Sequence, residues 1–116
     1  MRIARGGSFV ELRVDRISFN GGLPRFSFKR SLSGKTFALK GSKDPLRISA
    51  SFMLQKDSES TLDDLLSWAQ SGELVDLSID DKSFGVVITS LSWDDDGEVI
   101  KGRIELVEAD EVVSDG

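Results

Sequence analysis

The sequence contains neither cysteine nor histidine. Disulfides, thiolate nucleophiles, imidazole bases and the commonest zinc ligands are therefore all missing. The Ser-His-Asp and Cys-His arrangements and the zinc hydrolases are excluded with them. Catalysis would have to rely on carboxylates alone, so the sequence predicts a protein that is not an enzyme and that has no catalytic residues, no cofactor and no metal site.

Long hydrophobic runs are also missing. Nowhere do about eighteen apolar residues follow one another, so no membrane-spanning helix and no membrane partner are expected. Arg2 and Arg5 stand near the start, but Glu11 and Arg13 interrupt the apolar residues that follow, so no signal peptide is expected. At 116 residues and 39% hydrophobic content, the sequence predicts a single domain.

Charge is divided unevenly along the chain. Residues 1–47 carry eleven Lys and Arg against three acidic residues, whereas residues 48–116 carry four against seventeen. The net charge of −5 therefore conceals one basic and one acidic segment. If folding keeps the two segments apart, copies of the chain can bind one another through faces of opposite charge.

Period-two alternation predicts most of the secondary structure. It is clearest over residues 46–55, where apolar and polar side chains alternate throughout. In residues 25–29 two phenylalanines alternate with cations, which predicts a half-buried strand with Phe26 and Phe28 in the core. Similar patterns predict a long first strand with a bulge near Asp15 or Arg16, and strands over 36–39, 75–79, 84–93 and 98–108.

One segment has helical spacing. Leu62, Leu65, Leu66 and Ala69 form a single apolar stripe, and Gly72 stands where a helix would end. The helix is expected near 61–71. The order of elements predicts an antiparallel β-sandwich or barrel of about seven strands with one helix packed on it, forming a domain over 1–108 that is followed by an acidic tail over 109–116.

Three segments raise the question of a ligand site. The run Asp94-Asp95-Asp96-Gly97 lacks the alternate ligands and distal Glu of a calcium loop and is interpreted as a hairpin turn. Gly34-Lys35-Thr36 lacks the earlier glycine of a phosphate-binding loop. The basic stretch around Phe26, Phe28 and Phe37 would suit nucleic acid, but because these rings are expected in the core, no specific nucleic-acid binding is predicted.

The order and the residue pattern of four segments resemble the tail-tube fold, which is shared by phage tail tubes, tube initiators, tail terminators and related contractile-injection rings. These segments are 44–54, 61–72, 75–79 and 85–91. The resemblance implies a virion component without catalytic residues, assembled in the host cytoplasm as a ring, commonly a hexamer, with copies of itself and neighbouring tail or baseplate proteins. It implies no specific nucleic-acid binding beyond the passage of DNA that a lumen would allow. The sequence is short and shows no evident long hairpin arm, so main tube, initiator, terminator and baseplate ring all stay open.

The charge division then predicts the subunit interface. A basic face is expected to meet an acidic face of the next copy, and Arg103 is expected near an interface or lumen together with one residue of the basic face, Arg47. The alternative is a small monomeric adaptor that recognises a different partner through a sheet edge or the acidic tail. The basic face is predicted to comprise Arg25, Lys29, Arg30, Lys43 and Arg47, and the acidic face Asp76, Asp80, Asp94 and Asp95.

Overall fold

The structure, a computed structural model, describes residues 1–55 and 59–113. Nine strands and one helix lie in this part of the chain. Their bounds are β1 Arg2–Arg5, β2 Ser8–Glu11, β3 Arg13–Asn20, β4 Pro24–Arg30, β5 Thr36–Lys43, β6 Arg47–Gln55, α1 Glu59–Ser71, β7 Val75–Ile79, β8 Lys82–Asp95 and β9 Val99–Glu108. The mainly β architecture with one helix, predicted from the alternation, is confirmed.

Seven of the strands form one antiparallel sheet in the order β2-β1-β7-β8-β9-β6-β3. The 14-residue strand β8 joins its two halves. The first part of β8 pairs with β7, ending at Val86 opposite Val75, and the remainder pairs with β9 as far as Asp95 opposite Ile100. A strand that changes partner along its length lets the sheet fold over on itself, so that the inward faces of the two halves enclose the core.

The core is built from alternate residues of these strands and from one face of the helix. On β6, Ile48, Ala50, Phe52 and Leu54 are all buried, whereas the residues between them are partly exposed. Helix α1 contacts β8 and β2. It contributes Leu62, Leu65 and Trp68 to the same core. Within residues 1–55 and 59–113, no helix has both the length and the apolar character needed to cross a membrane.

The chain begins with a hairpin that the sequence did not predict. Strand β1 pairs with β2 on one side and with β7 on the other, and its Ile3 is completely buried. Four residues with one inward side chain are too few for alternation to reveal, which is why β1 was missed. The predicted bulge is confirmed, since the register of β3 against β6 shifts between Val14 and Arg16.

Strands β4 and β5 pair only with each other and form a two-stranded hairpin, residues 24–43, called the arm below. Backbone hydrogen bonds from Gly22 N to Asp44 O and from Asp44 N to Leu23 O, each 3.1 Å, close its base. The arm elongates the molecule to 67 × 33 × 27 Å. Its radius of gyration is 18.4 Å, against about 13 Å for a compact domain of this length. The expectation that no long hairpin arm is present was therefore wrong.

The aromatic residues of the arm are exposed. Phe26, Phe28 and Phe37 have exposed fractions of 52%, 69% and 51%, so the prediction that they lie in the core was wrong. Alternation of phenylalanine with cations indicates a strand with two unlike faces, but it does not say whether a second layer covers either face. In the described structure no such layer lies over the arm, since β4 and β5 pair only with each other and the phenylalanine rings on both of their sides are exposed.

Candidate interaction surfaces

The arm presents apolar and basic side chains on both of its sides. Cross-strand pairing of Phe28 with Ala38 places Phe26 and Phe28 on one side. Pairing of Lys29 with Phe37 places Phe37 on the other side together with Leu39. Residues 24–43 include six cations and no acidic residue. A two-stranded hairpin is marginally stable alone in water, and exposed apolar patches mark binding surfaces, so the arm has the properties of a surface that is covered by a partner.

The residues of the predicted basic face lie along the arm and at its base. Lys29 and Arg30 are exposed on β4, at a distance from the body. Arg25 and Lys43 lie at the base, where Arg25 Nε is 2.6 Å from Asp44 Oδ1 and Lys43 Nζ is 3.9 Å from Glu108 Oε1. Arg47 begins β6 on the body itself. The structure therefore brings Arg25, Lys43 and Arg47 together at the base of the arm, where Arg25 and Arg47 line one depression, and places Lys29 and Arg30 further along the arm.

The residues of the predicted acidic face occupy two ends of strand β8. Asp80 lies in the turn before β8, with a positive φ of 54°, and Asp76 lies on the adjacent β7. Asp94 and Asp95 lie at the opposite end of β8, next to the turn that leads into β9. The acidic residues therefore form two separate sites on the body, one at each end of its longest strand.

The turn between β8 and β9 is held by its own carboxylates. Asp95 Oδ1 accepts a hydrogen bond from Gly97 N at 2.9 Å, and Asp96 Oδ1 accepts bonds from Glu98 N and Val99 N, also at 2.9 Å. The backbone hydrogen bonds from Val99 and Glu98 lower the pKa of Asp96 below its usual value. These contacts occupy the carboxylates with backbone donors, which agrees with the prediction of a structural hairpin turn.

The outward side of β3, β6, β9 and the second part of β8 is a polar surface, called the polar face below. Cross-strand neighbours form rows over it, one of which runs Arg16, Ser51, Arg103 and Ser92. Three adjoining depressions lie on this face. Its charged residues are five cations and three carboxylates, namely Arg13, Arg16, Arg47, Lys101, Arg103, Asp15, Asp94 and Glu105.

The strands of the polar face leave two edges without a strand partner in the described structure. Strand β3 pairs only with β6, and the part of β8 beyond Val86 pairs only with β9. Arg13, Asp15 and Arg16 give the β3 edge a net charge of +1, whereas Asp94 and Asp95 lie on the β8 edge. Open edges favour the addition of another strand. Here the two edges also differ in charge.

No protein-family model matches the chain, and no curated protein sequence matches it significantly. Solved structures do match. A chain from the tail of an empty GTA particle, determined with helical refinement and C6 symmetry, aligns with a TM-score of 0.57 at 21% identity, covering 99% of this chain and 94% of that one. A chain of the anti-feeding prophage cap, which terminates the AFP tube, aligns with a TM-score of 0.52 at 15% identity, covering 92% and 82%.

Proposed function

We propose that this chain, which has the tail-tube fold, is a structural component of a phage-type tail or a related injection apparatus and assembles with copies of itself into a ring. The fold predicted from the sequence resemblance is confirmed by the two structural alignments. One observation carries the proposal beyond the fold. The polar face ends in two free strand edges of opposite charge, and these can join one copy to the next.

The direction of the strands favours this junction. Strands β3, β6, β9 and β8 alternate in direction, since each neighbouring pair is antiparallel. Because their number is even, the β3 edge of a second copy, related to the first by rotation about one axis, runs antiparallel to the β8 edge. Copies pointing in the same direction can therefore continue one antiparallel sheet, and the contact closes into a ring when the rotation permits.

Six copies joined in this way would close the sheet into a barrel with a wide lumen. Four strands from each give 24 strands, and a spacing of about 4.8 Å makes the closed sheet about 115 Å wide across its strands. With the strand tilt of about 35–45° found in barrels, the backbone diameter is about 45–52 Å. Six-fold order is supported by the C6 symmetry of the similar GTA tail structure. The polar face would line the lumen, because its other side is occupied by the core.

The arm supplies a second contact. Its exposed rings and cations need a covering surface, and the acidic sites at the two ends of β8 have complementary charge. We infer that the arm of one copy lies against the body of a neighbour, with Lys29 and Arg30 near Asp76 and Asp80, because Asp94 and Asp95 belong to the edge junction. In this arrangement the predicted basic and acidic residues remain interface residues, but they are divided between two contacts, the arm contact and the edge junction.

Charge reversal and rescue test the edge junction. The variant Asp94→Lys/Asp95→Lys should remain folded but stay monomeric in light scattering, at concentrations where the unchanged chain forms rings or tubes. Adding Arg13→Glu to the same chain should restore assembly, because the β3 edge then carries a net negative charge and the β8 edge a net positive charge. Assembly of the unchanged chain should weaken as salt rises. A strict monomer at every salt and protein concentration would instead favour the adaptor function.

A further inference from the structure

Two arginines and three serines share one depression on the polar face. Arg16 on β3 is paired with Ser51 on β6, which is paired in turn with Arg103 on β9. Ser18 and Ser49 form the neighbouring cross-strand pair. These five residues line a depression of about 240 Å³. Since adjacent strands are about 4.8 Å apart, the two arginine Cα atoms are about 10 Å apart, which lets long side chains converge above Ser51.

Hydrogen bonding orients Arg103 and leaves donors available. Its Nε donates to Ser49 Oγ at 3.1 Å. Glu105 Oε1 lies 3.8 Å from the same Nε, and Asp15 lines the adjoining depression together with Ser51 and Arg103. Among the described residues, no hydrogen bond engages the terminal amino nitrogens of Arg103 or any part of the Arg16 guanidinium. The depression thus holds two guanidinium groups with free donors and three hydroxyl groups, and guanidinium forks match the geometry of phosphate oxygens.

We propose that Arg16 and Arg103, with Ser18, Ser49 and Ser51, form a binding site for a phosphate group. Guanidinium groups would donate to the phosphate oxygens from both sides, and the hydroxyls would donate from below. The phosphate could belong to a phosphodiester backbone or be free inorganic phosphate. Contacts to a phosphodiester backbone carry no base sequence information, so a duplex DNA of any sequence is a suitable polymer probe.

The site is complete within one chain, although the whole molecule has a net charge of −5. Locally the balance is reversed, since cations outnumber carboxylates on the polar face. If copies form a ring, which rests on the proposed function, the same site recurs in every subunit and lines the lumen with pairs of arginines. Phosphate binding can nevertheless be tested whether or not a ring forms.

The first experiment titrates inorganic phosphate into the isotopically labelled protein and follows backbone amide signals by NMR. We expect saturable shifts at Ser49, Ser51 and Arg103, and none with sodium chloride at matched ionic strength. The variant Arg16→Gln/Arg103→Gln should lose the shifts, whereas Arg16→Lys/Arg103→Lys should retain part of them because it keeps the charge. Thermal unfolding of each variant should match the unchanged protein. Absence of saturable shifts in the unchanged, folded protein would overturn the proposal.

The second experiment measures binding of a short duplex DNA by fluorescence anisotropy at several salt concentrations. The variant Arg16→Gln/Arg103→Gln removes two phosphate contacts. It should therefore reduce the steepness of log affinity plotted against log salt concentration by about 2. The matched control Lys35→Gln/Lys40→Gln removes two positive charges from the arm at residues outside the proposed contacts and should change the slope less. Saturable phosphate shifts without duplex binding would support free phosphate as the ligand. Equal slope changes in both double variants would mean that DNA binds through nonspecific electrostatic attraction, and this would contradict the proposed phosphate site.

Discussion

The ring of Phe52 packs directly against the backbone of Gly102 on the neighbouring strand. The two residues are cross-strand partners in β6 and β9, and Trp93 of β8 is the partner of Gly102 on its other side. A Cβ atom at position 102 would overlap Phe52 Cζ and would lie 2.6 Å from Ser92 O. The fully buried aromatic ring therefore occupies the space that a side chain at position 102 would need.

We expect Gly102→Ala to destabilise the fold. The added methyl group must displace a core ring or the backbone of β8, and overpacking of this kind costs about 1–3 kcal/mol. Urea unfolding followed by tryptophan fluorescence measures the change. Gly7→Ala is the matched control, because a Cβ there meets no atom within 4 Å and its φ is not positive. Equal stability of the two variants would show that Phe52 does not pack against Gly102.

Substitution of aromatic residues on the arm should separate assembly from stability. We expect Phe28→Thr/Phe37→Thr to change the free energy of unfolding by less than about 0.5 kcal/mol, because both rings are already exposed. Phe52→Ala should instead cost about 3–5 kcal/mol, since that ring is buried. Light scattering of the arm variant should show weaker self-association. A large loss of stability on the arm would mean that its rings are covered within one chain.

The turn between β7 and β8 offers a stabilising substitution. Asp80 has a positive φ of 54°, a conformation that costs a residue with a side chain more than it costs glycine. We expect Asp80→Gly to raise the free energy of unfolding by up to about 1 kcal/mol. Asp81→Gly is the control for the loss of one carboxylate from the same turn, and it should bring no such gain. The thermal midpoints of both variants can be compared at one pH, and a higher midpoint for Asp81→Gly would contradict the expectation.

The contribution of the β8–β9 turn to the free energy of unfolding should decrease in acid. Because two backbone hydrogen bonds lower the pKa of Asp96 in the folded state, its contribution to stability is complete above the pKa of the unfolded chain, about 3.9. That contribution is lost as pH falls through the lower folded pKa. Asp96→Asn keeps an oxygen acceptor but does not titrate, so its stability should fall less steeply between pH 5 and pH 2. Unfolding midpoints measured over this range check the difference, and identical slopes would refute it.

The sequence correctly predicted those strands in which the alternation of apolar and polar residues is enough to show which side chains are buried. Strand β6 alternates over its whole length and is flanked by two strands, so its pattern reflects a buried inner face. The arm has equally clear alternation, yet alternation is a property of the strand and not of what covers it. The basic composition of residues 24–43, without one acidic residue, was the signal that this hairpin stands away from the acidic body.

The polar face was also largely hidden from sequence reasoning. Arg47 and Arg103 were expected near an interface or lumen, but Arg16 was noted only as part of a bulge. Its place in the row with Ser51 and Arg103 depends on the register shift between Val14 and Arg16, and on pairings between segments far apart in the chain. A shift of one residue in a strand moves every side chain to the other face, so such rows require the three-dimensional register.

The separation of arm from body also bears on how this chain can change over generations. Among the described residues, the buried core lies in the seven-stranded sheet, the helix and Leu12, whereas the arm is attached through the hydrogen bonds between Gly22, Leu23 and Asp44. We therefore expect substitutions on the arm to leave the folding of the body almost unaffected. Selection can alter what the arm recognises while the body is conserved, so duplicated copies of such a chain could acquire different neighbours without having to evolve a new fold.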